Sequence, residues 1–83
     1  MKLLYFAWLR QRLGTGEEMV TPPAGVTDVA TLLDWLRGRG PEWQAALADT
    51  RAIRIAVNQS FAGPDTAIGP GDEIALFPPM TGG

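Results

Sequence analysis

The chain has 83 residues, 46% of them hydrophobic and 19% charged, with a formal net charge of −2. That suffices for one domain with a thin core, since folding at this size buries about 60–65% of the unfolded surface. With no cysteine and no histidine, it has no disulfides, no thiolate or imidazole ligand for a metal and no histidine base, and its acidic balance argues against a nucleic-acid partner.

Lys2 to Phe6 is almost continuously apolar and aromatic, the pattern of a strand covered on both faces. The run from Met1 to Leu9 superficially resembles a signal peptide. Arg10 and Arg12 follow at once, however, and no small-residue cleavage site appears, so a buried strand is the preferred reading. No apolar run approaches the length needed to cross a membrane, and the expected location is the cytoplasm.

Leu9 and Leu13 stand at i, i+4 ahead of Gly14, which suits a short helix closed by glycine. Glu17 to Thr21 reads as a half-exposed strand, stopped by Pro22-Pro23-Ala24-Gly25. Thr27 is a plausible N-cap, with Asp28 in the first turn. Val29, Leu32, Leu33 and Leu36 then mark the strongest helical signal in the chain, over 28–37. Gly38 and Gly40 end it, and Pro41 opens another short helix carrying Trp43 and Leu47. Ile53, Ile55 and Val57 alternate with Arg54, Ala56 and Asn58 as a half-buried strand. Asn58-Gln59 turns the chain into a short strand around Phe61. After two Gly-Pro turn clusters, Glu73 to Phe77 forms the last strand, which Pro78-Pro79 stops because neither proline can donate to a ladder.

Two strands, a principal helix and two or three further strands predict an α+β domain over 1–77. It is a mixed four- to five-stranded sheet wrapped on one main helix, with the first and last strands side by side in the middle. This is the β-grasp, or ubiquitin-like, arrangement, followed by a tail over 78–83.

The side chains offer little chemistry. Glu17-Glu18 and Asp72-Glu73 lie at turns, where carboxylates are solvated or bonded to local backbone. The six arginines are scattered, as on a solvated surface, and Trp8, Trp35 and Trp43 read as core or contact residues. No lysine follows a glycine cluster, so there is no Walker-type phosphate loop. The tail is different. Pro78-Pro79 stiffens the exit, and Met80, Thr81, Gly82 and Gly83 follow. Residues without a Cβ make the thinnest backbone, able to enter a narrow channel. A free α-carboxylate has a pKa of about 3.3–3.7, so it is ionised and a poor electrophile at neutral pH. Adenylation by a partner would activate it, and a sulfur donor displacing AMP would leave a thiocarboxylate. A frayed, inert terminus is the competing reading.

The ending Phe77-Pro78-Pro79-Met80-Thr81-Gly82-Gly83, preceded by Gly71-Asp72-Glu73-Ile74-Ala75-Leu76, resembles the small subunit of molybdopterin synthase. So do Ala56-Val57-Asn58-Gln59 and the opening strand with Phe6-Ala7 and Leu9-Arg10. The resemblance implies a β-grasp sulfur carrier that is no enzyme on its own and binds neither cofactor nor metal itself. Gly83, behind Gly82, would be adenylated by an enzyme related to ubiquitin-activating enzymes, which uses ATP, and then thiocarboxylated from a sulfur donor. The tail, with Pro78, Pro79, Met80 and Thr81, would enter the large catalytic subunit of a heterotetramer. Phe6, Phe61 and Phe77 would form the contact surface for both partners, with core packing as the alternative role for Phe6 and Phe61. A thiamine-type sulfur carrier, a protein modifier and a plain interaction domain are the other readings.

Overall fold

A computed structural model describes residues 1–79; Met80, Thr81, Gly82 and Gly83 lie outside the described residues. The elements in chain order are β1 (Lys2–Tyr5), α1 (Trp8–Leu13), β2 (Glu17–Met19), α2 (Val29–Arg37), α3 (Pro41–Ala46), a 3-10 turn (Thr50–Ala52), β3 (Arg54–Val57), β4 (Ser60–Ala62) and β5 (Glu73–Phe77). They form one five-stranded sheet in the order β2-β1-β5-β3-β4. β1 and β5 run parallel, and every other neighbouring pair is antiparallel. The expected β-grasp arrangement is therefore present, with the first and last strands adjacent.

The register separates two faces. Leu3 lies opposite Ile74, Tyr5 opposite Leu76, and Leu76 opposite Ile55. These five residues turn inward onto α2, whose Val29, Leu32, Leu33 and Leu36 present the apolar stripe read from the sequence. Leu9, Ala46, Leu47 and Ile53 close the core at its ends. The other parity, Lys2, Leu4, Glu73, Ala75, Phe77, Arg54, Ala56 and Phe61, points away from the helices. β1 is thus covered on one face only: Leu3 and Tyr5 are buried, whereas Lys2 and Leu4 are half-buried. The expectation of a strand covered on both faces fails because apolar Leu4 and Phe6 belong to an open apolar surface.

The local details follow from individual side chains. Asp28, not Thr27, caps α2: its Oδ1 accepts from Thr31 N at 2.8 Å, while Asp28 N donates to Thr31 Oγ1 at 3.1 Å. This reciprocal box satisfies two backbone donors. Thr27 is drawn out of the role because its carbonyl accepts from Ile68 N at 3.0 Å. Gly14 ends α1 at φ 78°, where its N–H donates to Arg10 O. β2 stops at Met19, two residues before the expected end at Thr21, although Val20 N still donates to Met1 O at 2.9 Å. Asn58 and Gln59 turn β3 into β4 at φ 51° and 71°. Asn58 holds that turn against the start of β5: its Oδ1 accepts from Glu73 N at 3.0 Å and its Nδ2 donates to Asp72 Oδ1 at 2.9 Å.

Candidate functional site: the open face around the tail exit

The tail begins where β5 ends. Phe77 lies opposite Arg54 on β3, and Phe6 N donates to Leu76 O at 3.1 Å, extending the β1–β5 ladder by one bond. This places Phe6 beside Phe77 on the outward side. Phe61 sits on β4 opposite Ala56, which is itself opposite Ala75, one diagonal step from Phe77. The rings of Phe61 and Phe77 are in tilted contact, with centroids 5.9 Å apart. Strands spaced by about 4.8 Å set Phe6 and Phe61 about 14 Å apart across the sheet. Phe77 stands between them.

The three phenylalanines from the sequence reading therefore share one face, and the sheet geometry gives each its exposure. Phe61 is 81% exposed and Phe6 48%, which removes core packing as the reason for either. Phe77 is half-buried, as are Leu4, Ala56 and Ala75 in the same surface. These last three were missed in the sequence. Counting back from Phe77 with a period of two would have found Ala75, but Leu4 and Ala56 need the strand pairing. Lys2, Glu17, Glu73 and Arg54 edge the patch, with Lys2 Nζ 3.6 Å from Glu17 Oε2. An apolar centre with a charged rim is the anatomy of a protein-binding surface. Exposed large side chains grouped in this way are unusual on a small domain without a partner. Pro78 and Pro79 are half-buried and carry the chain off the sheet. Gly82 and Gly83, expected to carry the chemistry, and Met80 and Thr81, expected to contact the partner, lie outside the described residues.

The remaining charges are arranged for structure. Glu18 was expected to be a solvated or locally bonded turn acid; instead it points inward from β2. It accepts from Tyr5 Oη at 2.6 Å and takes a two-pronged bond from Arg39, whose Nη2 lies 3.2 Å from Glu18 Oε2. Arg39 is correspondingly no scattered surface cation: it also lies 4.3 Å from the Trp43 ring centroid and 5.5 Å from that of Trp35. The Arg39 bond is the largest influence on Glu18 and holds its carboxyl below the usual range. Burial, helped by Glu18, pushes the Tyr5 phenol well above its ordinary value. Neither group faces the open surface. Among the described residues, no cluster of three or more acidic, histidine or cysteine side chains is placed to hold a metal, and no helix is long and apolar enough to cross a membrane.

The model of the ThiS family matches residues 3–83. The chain belongs to that family. Two relatives, both named molybdopterin synthase sulfur carrier subunit, are each 36% identical to it. The one from Escherichia coli strain K12 aligns over all of this chain and 99% of its own. The one from Mycobacterium tuberculosis aligns over all of this chain and 96% of its own. Among solved structures, SAMP1, a small archaeal modifier protein of Haloferax volcanii, superposes with a TM-score of 0.79 at 31% identity. That match covers 100% of this chain and 98% of the other.

Proposed function

We infer that this chain is the sulfur carrier of a molybdopterin synthase, the small subunit that delivers sulfur and performs no catalysis alone. The observation that carries this is the 36% identity, over the whole chain, to molybdopterin synthase sulfur carrier subunits, in a chain that itself ends Phe77-Pro78-Pro79-Met80-Thr81-Gly82-Gly83. The open face fits the reading. An apolar patch at the root of the tail can grip a partner while Pro78-Pro79 directs the last four residues into that partner's site.

The chemistry falls in two steps. A Gly83 carboxylate oxygen attacks the α-phosphorus of ATP on an activating enzyme, and pyrophosphate leaves. Hydrosulfide, sulfur already at the sulfide level, then attacks the acyl carbon, the C–O bond to AMP breaks, AMP and a proton leave, and a thiocarboxylate remains. ATP as co-substrate sets the reaction in the cytoplasm. The charged carrier next docks on the large subunit, two carriers flanking a dimer of large subunits, and its sulfur passes to the pterin precursor to build the dithiolene. Phe6, Phe61 and Phe77 are the anchors in both complexes, and Pro78 to Gly82 line the channel contacts.

The likeness to SAMP1 supports a second reading. The same acyl-adenylate, attacked by a lysine amine instead of sulfur, would yield an isopeptide and a protein modifier.

The test is a chain extended by one alanine after Gly83. It moves the carboxylate outward by about 3.3–3.6 Å, where a displacement of even about 1 Å can cost a hundredfold in rate. Molybdopterin formation with the large subunit should be lost while folding is unchanged. Full activity from the extended chain, with mass spectrometry showing no trimming, would contradict the carrier function.

A further inference from the structure

Ala7 joins β1 to α1 at φ 56°, ψ −132°. A Cβ is badly accommodated there, whereas glycine enters the region freely. The tight passage from β1 into α1 demands this conformation, and no side-chain bond offsets its cost for alanine. Ala7 is exposed and makes no side-chain cap bond. The contrast is with Asn58, also at positive φ, whose side-chain amide bonds to Glu73 N and Asp72. Strain that persists without a packing reason points to function, since strained residues cluster where side chains must be held in advance.

The neighbour of Ala7 is Phe6. The last ladder bond, Phe6 N to Leu76 O, restrains Phe6 from one side. On the other side α1 begins directly at Trp8, and its first bond runs from Gln11 N to Ala7 O at 3.4 Å. Ala7 is therefore the one residue joining the ladder bond that holds Phe6 to the first bond of α1. We propose that Ala7 is a positioning residue for partner binding: its constrained turn keeps the Phe6 ring on the open face beside Phe77, ordered before the partner arrives. This rests on the reading of that face as the partner surface. Glycine at the same position would relieve the strain but would free the Phe6–Trp8 junction, and the ring would have to be ordered on binding. The greater freedom of glycine corresponds to a loss of affinity of about two- to fivefold.

The experiment measures Tm and the Kd for the large synthase subunit on four full-length chains. They are Ala7→Gly, Phe6→Ala, the double variant, and a synthetic chain with D-alanine at position 7. The proposal expects Ala7→Gly to melt no lower than the parent and to bind about two- to fivefold more weakly. In the Phe6→Ala background the same change should have no further effect. For a D-residue the observed dihedrals mirror ordinary extended backbone, so the D-alanine chain should melt higher and bind as the parent does. An equal loss from Ala7→Gly in both backgrounds would show a direct methyl contact and overturn the proposal, as would unchanged affinity. A lower Tm for the D-alanine chain would overturn the strain. Parent-like binding by Phe6→Ala would instead overturn the reading of the face, and the positioning role with it.

Discussion

At the scale of residues, exposure separates the side chains that hold the fold from those proposed to meet a partner. Phe61 is 81% exposed, and its ring meets that of Phe77. Phe61→Ala should leave Tm nearly unchanged while weakening binding to the large subunit by about thirtyfold, the usual loss of about 2 kcal/mol for an aromatic anchor. Calorimetric titration alongside thermal melting checks both halves. A sharp fall in Tm with unchanged affinity would return Phe61 to the core. Glu18 is the opposite kind of residue. Its carboxyl is lowered by Arg39, so its stabilising contribution is present above the unfolded value of about 4.3 and is lost as pH falls through the lower folded value. Glu18→Gln should lower Tm at neutral pH and converge on the parent in acid. Asp28, Asp49 and Asp72, lowered by Thr31, Arg51 and Asn58 respectively, should keep a residual acid sensitivity in the variant. Melting curves from pH 7 to strong acid distinguish this from a pH-independent packing defect.

At the scale of elements, the sequence was most legible where periodicity is strong. The i, i+3, i+4 spacing of Val29, Leu32, Leu33 and Leu36 located α2, and the alternation of Ile53, Ile55 and Val57 located β3. Asn58-Gln59 marked the hairpin before any pairing was known. What stayed hidden depends on contacts between distant segments. Thr27 and Asp28 are both good caps by type, and the bond from Ile68 N to Thr27 O separates them. Glu18 looks like a turn acid until Arg39, 21 residues away, closes on it. In β1, hydrophobicity alone cannot tell a second buried face from an open apolar one, so Leu4 and Phe6 were misread as covered. The central position of β5 also has a cost. Leu76 is fully buried between Tyr5 and Ile55, and Leu76→Ala should remove about 2–5 kcal/mol. A domain of this size holds a total of about 4–12 kcal/mol. Denaturant unfolding of that variant should therefore show a large loss of midpoint, whereas Ala substitution of outward-facing Leu4 should cost much less.

At the scale of the whole molecule, the topology separates Met1 from Pro78, where the tail leaves the sheet. The parallel pairing of β1 with β5 puts Met1 beside the start of β5 and the tail beside its end. The Met1 amine donates to Val20 O at 3.1 Å, a bond that a peptide N–H could replace. An N-terminal tag should therefore be tolerated in both Tm and sulfur transfer, while a single residue added after Gly83 should not. The phenylalanine face, the proline exit and the Gly-Gly end fit the proposed role of a module that brings one activated group to other proteins. The most direct test is the mass of the intact chain after incubation with its activating enzyme, ATP and a sulfur donor, followed by fragmentation to locate any change. The account predicts one oxygen-to-sulfur exchange, confined to Gly83. An unchanged mass under conditions in which the enzyme consumes ATP, or an adduct only on a lysine, would contradict it.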